Sequence, residues 1–378
     1  MPKNVIVCSD GTSNTKKTNT NVRRFYDVLK KIPGNSCFYD PGVGSFVSDV
    51  PGKAFGTGVG ENIRDCYDFL VRKWEPGDRI FLFGFSRGAF TVRSLANFVD
   101  RVGLITPTKK KLRVRVRKGP GRIARPAQPI YVRRAYDLYQ LSRKQVFSRE
   151  LEKSREELGL RECNVHCIGV WDTVGAMGLP KRSNDPRSHL EHRHHTTAIS
   201  PNVKLAFHAL SLDDERQVFW PDRFRIEKRV PGQTVEEVWF AGMHSDVGGG
   251  YEKEKRMSNV SLRWMASRMP RVLGLRRDAF PAADADPLGP MHDSRTGAAG
   301  AYTRRVRRPQ PGDSLHASVL ARIAGPLVKP NATREPRGVY RPEALVQRRP
   351  TRSRSAFRPK WGSPPRFGLS PRFEIVDD

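Results

Sequence analysis

Two patterns of apolar residues alternate along the chain. Short apolar runs end in turns rich in Gly, Asp or Ser, and longer stretches carry apolar residues three and four apart. The first pattern marks buried strands and the second amphipathic helices. Strands are expected at Asn4 to Cys8, Ser36 to Asp40, Ile80 to Phe83, Asn164 to Trp171 and Val235 to Ala241. Helices are expected at Asn21 to Ile32, where Pro33-Gly34 stops the pattern, and at Asn62 to Trp74 and Ala89 to Val99. Further helical spacing runs through Arg134 to Leu158, Val203 to Leu212, Ser258 to Met269 and Leu315 to Ile323. Strands and helices in alternation predict an α/β fold, a mostly parallel, doubly wound sheet with helices on both faces.

The chemistry sits at the strand ends. Phe81 to Phe90 reads FLFGFSRGAF, so a strand, a G-x-S-x-G and a helix follow without a break. That is the nucleophile elbow of α/β hydrolases, and it points to a hydrolase-type sheet. The turn is so tight that Gly84 and Gly88 are needed on either side of Ser86. A serine hydroxyl needs a base to become a nucleophile, and the base needs an orienting carboxylate. Later strands end in Asp172 and His244, in the chain order Ser, Asp, His that this fold uses. His208 is the alternative base, in a stretch read as an apolar helix, which suits a packing histidine. Asp246 is the alternative acid, although its place before Gly248-Gly249-Gly250 suits a turn, and it stays a substrate-side candidate. The N–H of Arg87, and that of Gly11 or Thr12 in the loop after the first strand, are the expected oxyanion donors. Asp10 is expected to orient that loop or to contact a polar substrate. No metal or organic cofactor is required. The histidines of Pro186 to His195 lack a flanking carboxylate pattern, and the glycines near Gly44 to Gly60 match no phosphate-binding loop.

Charge then divides the chain. The formal net charge is +29 over 378 residues. Thr106 to Arg134 holds 11 Lys and Arg with no acid, and Ala301 to Asp378 holds 17 against 6 acids. The expected organisation is therefore one catalytic domain, 1–345, with a basic insertion at 106–134 and a basic, loosely packed tail at 346–378. Such segments suit peripheral contact with an anionic membrane. Aromatic residues are too sparse in the insertion for a nucleic-acid stacking platform. A basic membrane- or nucleic-acid-binding protein on a hydrolase scaffold is the alternative to an enzyme. Five scattered cysteines argue for a reduced compartment. No apolar stretch approaches about 20 residues, so a cytoplasmic location is expected.

Longer motifs extend the elbow. They are CSDGT (Cys8 to Thr12), YDPGVGS (Tyr39 to Ser45), GFSRGAFTVRSLA (Gly84 to Ala96), GVWDTVGAMG (Gly169 to Gly178), HALSLDDER (His208 to Arg216) and VWFAGMHSDVGGGY (Val238 to Tyr251). In these the chain resembles an α/β-hydrolase family that includes the class-one phospholipase effectors of bacterial type VI secretion. The resemblance runs from about Asn4 to Ser267, with weaker matches to about Leu345. It implies a serine esterase or phospholipase acting on an ester or phospholipid substrate. It puts Ser86, Asp172 and His244 at the triad positions, and it raises export through a type VI apparatus.

Overall fold

The structure, a computed structural model, describes residues 2–11, 18–42, 58–106, 128–142, 144, 146–175, 196–325, 340–345 and 373–378. β1 (Asn4–Ser9) is buried along its whole length. Its side chains alternate between two cores: Val5 and Val7 join one, Ile6 and Cys8 the other. This period of two feeds a sheet that is covered on both sides. α1 (Asn21–Leu29) starts at Thr20, whose hydroxyl accepts the Arg23 N–H at 3.1 Å. β2 (Asn35–Asp40), α2 (Val59–Lys73), β3 (Arg79–Phe85) and α3 (Arg87–Val102) follow. A short antiparallel pair, β4 (Leu104–Ile105) and β5 (Leu160–Arg161), brackets α4 (Ile130–Leu141) and α5 (Phe147–Leu158). Then come β6 (Val165–Trp171), β7 (Val203–Ser211), β8 (Thr234–Phe240), α6 (His244–Gly248) and α7 (Arg256–Ser267). β9 (Ser314–His316), α8 (Ala317–Ala324) and β10 (Glu374–Val376) complete the described elements of the main fold.

Eight strands form one sheet in the order β10-β9-β8-β7-β6-β3-β1-β2, and every described pairing in it is parallel. The α/β, doubly wound class expected from the alternating pattern is the fold observed. Side chains of α2, α3 and α4 pack on one face with Ile80 and Leu82. Those of α1 and α7 pack on the other with Phe81, Phe83 and Phe85. The chain winds one way from β1 to β2 and the other way from β1 to β3. In open α/β sheets such a reversal is where ligands bind, at the carboxyl ends of the strands, here β1 and β3.

Two expectations are corrected. Val203 to Leu212 is no helix: Val203–Ser211 is the strand β7, held between β6 and β8. Its run of Ala, Leu, Phe and Val fits either period. A central parallel strand is buried on both faces, so it loses the alternation that would identify it. The second correction concerns the basic tail. Residues 346–372 lie outside the described residues, but Glu374–Val376 pair in parallel with β9. Two arginines hold the residues that follow. Arg268 Nη2 donates to the Asp377 carbonyl at 2.9 Å, and Arg263 pairs with Asp378 at 3.3 Å. In the basic insertion, residues 107–127 lie outside the described residues. Helix α4 begins before the expected Arg134, and Tyr131 on it donates to Asp68 at 2.9 Å. The histidines of Pro186 to His195 and the loop residue Thr12 also lie outside the described residues. Among the described residues, no helix is long and apolar enough to cross a membrane.

Candidate active site

Ser86 makes the turn between β3 and α3 alone. Its backbone angles are φ 58° and ψ −123°, a region that side chains other than glycine rarely occupy. The two glycines beside it are sterically required. A Cβ on Gly84 would lie 2.6 Å from the Ala89 Cα, and one on Gly88 would lie 2.1 Å from the Ser9 carbonyl oxygen. The close approach of Gly88 brings the elbow helix against the carboxyl end of β1. The Ser86 N–H donates to the Trp171 carbonyl at 3.1 Å, and the Ser86 carbonyl accepts the Val174 N–H at 3.3 Å. The elbow is therefore laced to the end of β6, which carries Asp172.

Register brings the other two residues alongside. Phe85 pairs with Trp171, Trp171 with Ala209, and Ser211 with Phe240, so the ends of β3, β6, β7 and β8 are neighbours. Asp172 is fully buried with φ 36°, and its N–H donates to the Ala209 carbonyl at 2.7 Å. His244 opens α6, just past β8. Its Nδ1 donates to Asp172 Oδ2 at 2.6 Å. The imidazole lies over the ring of Phe85, centroids 4.5 Å apart, so it borders the residue before Ser86. Phe219 meets it edge-on at 5.0 Å. Gly248 is needed on the same short helix, because a Cβ there would fall inside the Phe85 ring contact at 1.9 Å. Burial lowers the pKa of His244 below its ordinary 6.5, opposed by the charges of Asp172 and Asp214. The ring is thus neutral near neutral pH, able to accept a proton.

Asp172 has a second partner that no sequence pattern announces. Arg307 is buried, and its Nη1 and Nη2 reach Asp172 Oδ1 and Oδ2 at 2.6 and 3.1 Å. Arg307 Nη1 also donates to the Ser211 carbonyl and hydroxyl, each at 2.8 Å, and Nη2 to the Phe219 carbonyl. The Ser211 N–H donates to Asp172 Oδ1 at 3.0 Å. Burial alone would raise the pKa of Asp172. The Arg307 charge, with the His244 hydrogen bond, outweighs it and holds the carboxyl well below its ordinary 3.8. Arg307 stands in RRVRRPQ, one arginine among several, and offers no periodic or motif signal there.

The alternative residues have other work. His208 lies on β7 opposite Glu237 of β8. Its Nδ1 donates to Glu237 Oε1 at 2.9 Å, and its Nε2 accepts the Thr173 N–H at 3.1 Å. It is a buried, neutral imidazole that fixes the loop after Asp172. Asp246 accepts N–H groups of Met243 and His292 on Oδ2, at 3.1 and 3.0 Å, and faces His292 Nδ1 with Oδ1 at 2.7 Å. It caps α6 and anchors the 292 segment. Asp10 accepts the Thr20 hydroxyl at 2.5 Å, the Tyr39 hydroxyl at 2.7 Å and the Gly11 N–H at 2.8 Å. It orients the β1 loop, and the Gly11 N–H is spent on it. Arg87, at the first position of α3, is buried, which pushes its guanidinium down to about 10. Among the described residues, no group of three or more His, Cys, Asp or Glu side chains is arranged to hold a metal ion.

The profile of the type VI secretion (T6SS) phospholipase effector Tle1-like catalytic domain matches residues 3–268, which span every strand end just described from β1 to β8. The chain belongs to the Tle1-like family. An uncharacterized protein of Saccharomyces cerevisiae is 31% identical to this Tle1-like chain over 241 residues, 57% of this chain and 32% of the relative. The chain thus spans about a third of that relative's length. An uncharacterized protein from Pseudomonas aeruginosa of known crystal structure has a TM-score of 0.43 at 18% identity, over 75% of this chain and 47% of that one. The Tle1 effector bound to the VgrG spike of the type VI secretion system has a TM-score of 0.30 at 16% identity, over 66% of this chain and 51% of that one.

Proposed function

We propose that this Tle1-like chain is a serine hydrolase that cleaves carboxylic esters, with phospholipids as its substrate class. The observation that carries the reading is the buried Asp172–His244 pair, 2.6 Å apart, set against the ring of Phe85 beside the strained Ser86. Ser86 Oγ attacks the ester carbonyl while His244 Nε2 takes its proton. Asp172 holds Nδ1–H, which fixes the tautomer and stabilises the imidazolium that forms. The oxyanion is met by the Arg87 N–H at the positive end of α3, with Thr12 as the second donor. His244 then protonates the leaving alcohol, and the C–O bond to it breaks. Water, deprotonated by His244, releases the acid and regenerates Ser86. Membership of a phospholipase effector family and a formal charge of +29 support an anionic lipid surface as the place of action. Export through a type VI apparatus belongs to the same proposal.

The test is covalent labelling by a fluorophosphonate probe, followed by a panel of phospholipids and simple esters. Wild-type protein is expected to label at one serine and to hydrolyse at least one member of the panel. Ser86→Ala is expected to do neither while keeping its circular dichroism. Labelling that survives in Ser86→Ala would overturn the proposal.

A further inference from the structure

The opposite end of the sheet carries a concavity. An open cavity of about 680 Å³ is lined by the first residues of β3, β6 and β7 and by the turns that lead into them. Ser86 stands seven residues further along β3, about 23 Å away at the usual strand rise of about 3.3 Å. This cavity is therefore separate from the site of ester chemistry.

Its walls carry three basic side chains, set there by strand register. Ile80 pairs with Val165 and Phe81 with Cys167, so His166 is the extra residue of a bulge in β6. Val165 pairs with Val203 and Cys167 with Leu205, which leaves Lys204 beside His166 on the next strand. Arg79 opens β3 on the other side. Bulges of this kind re-aim one side chain out of the sheet's alternation, often next to a binding site. Arg79, His166 and Lys204 all line the cavity.

The acids nearby do not neutralise them. Asp78 also lines the cavity, but it is committed to Lys3: Nζ approaches at 3.0 Å, and the N–H groups of Lys3 and Glu75 donate at 2.9 Å each. Glu162 also lines the cavity, but its side chain is largely exposed and pairs with Arg155 at 3.3 Å. The Arg79 guanidinium makes one long contact, 3.5 Å, to the Pro2 carbonyl. Burial lowers the pKa of His166, and the charges of Lys204 and Arg79 lower it further. Same-sign groups converging on a partly desolvated crevice repel one another unless an anion joins them, and such a crevice concentrates anions.

We propose that this cavity is a binding site for the phosphate group of a small phosphate-bearing molecule. Arg79 supplies a planar fork for two phosphate oxygens and Lys204 a point charge. His166 protonates as the anion arrives and becomes a third donor. The volume exceeds a bare inorganic anion and leaves space for an organic remainder.

The test follows the His166 ring signal by NMR in the full chain, assigned by its loss in His166→Gln. Inorganic phosphate and glycerol 3-phosphate are titrated in separate arms. Each is expected to give a saturable shift and to raise the His166 titration midpoint. The Arg79→Ala/Lys204→Ala double variant is expected to weaken binding at least tenfold. Lys204→Glu, an exposed charge reversal that leaves the strand intact, is expected to abolish it. A third arm measures sedimentation with phosphatidylglycerol vesicles. Vesicle binding that is lost in Lys204→Glu assigns the phosphate to a lipid headgroup. Vesicle binding that is unchanged, with the soluble shifts lost, assigns it to a free molecule. Shifts that do not saturate, or that persist unchanged in the folded double variant, overturn the proposal.

Discussion

Arg307 grips both carboxylate oxygens of Asp172, at 2.6 and 3.1 Å, from 135 residues further along the chain. The same carboxylate takes the Nδ1–H of His244 at 2.6 Å. One buried acid thus shares its charge between a permanent cation and an imidazole. The cation keeps Asp172 ionised, and the division limits how far Asp172 raises the basicity of His244.

Removing that cation leaves the buried carboxylate with the His244 and Ser211 hydrogen bonds but no counter-charge. Arg307→Met is expected to cost about 3–5 kcal/mol at neutral pH, the usual penalty for breaking a buried pair. The pH dependence has a definite sign. Asp172 titrates below its ordinary 3.8 in the folded chain, so its contribution is present above that value and is lost as pH falls through the folded pKa. In Arg307→Met burial dominates and the folded pKa rises. The variant's deficit is then largest near neutrality and shrinks as the solution is acidified. Urea midpoints measured from about pH 7 down to about pH 4.5 check this. A deficit that grows on acidification would refute it.

Ser86 stores backbone strain. A non-glycine residue in so sparsely populated a region costs about 1–3 kcal/mol. Ser86→Gly is expected to relieve part of it, with a net gain of about 1 kcal/mol once the extra freedom of glycine in the unfolded chain is counted. The same change abolishes the proposed hydrolysis. Urea titration beside Ser86→Ala separates relief of strain from simple loss of the hydroxyl. Equal stability of the two variants would count against strain.

The proposed base titrates below its ordinary 6.5 because it is buried. Protonated His244 cannot accept the Ser86 proton, so kcat/KM is expected to fall on an acid limb whose midpoint lies below that value. Asp214 sits within 3.3 Å of the His244 N–H and raises the His244 pKa by its charge. Asp214→Asn is therefore expected to move the acid limb to lower pH. A rate profile on a soluble ester measures both, and a shift upward would contradict the electrostatic account.

His208 separates packing from catalysis. Replacing it with Phe strands the Thr173 N–H and removes one of the two donors to Glu237 Oε1, which keeps the Phe224 N–H at 2.7 Å, for an expected cost of about 1–3 kcal/mol. Fluorophosphonate labelling of Ser86 is expected to persist in His208→Phe and to vanish in His244→Ala. The reverse pattern would transfer the role of base to His208.

Local pattern was enough for much of this protein. Strands end at Ser9, Phe85 and Trp171, and α1 and α3 follow the first two, because burial on both faces and tight turns leave direct marks on which residues can follow which. Gly84 and Gly88 were readable because no other residue fits the turn, and Asp172 and His244 because each follows a core strand. Three features were not readable. β7 is a strand on account of its neighbours β6 and β8, since a run buried on both sides carries no period of its own. Glu374–Val376 join the sheet because Arg263, Arg268 and β9 await them. Arg307 becomes the counter-charge of Asp172 only when the fold brings together residues 135 apart. A lone arginine in a basic stretch has no period, and its partner is chosen by desolvation in the folded state. Most elements and the chain order of Ser86, Asp172 and His244 were therefore determined by sequence, whereas the electrostatic setting of those three residues was decided by tertiary structure.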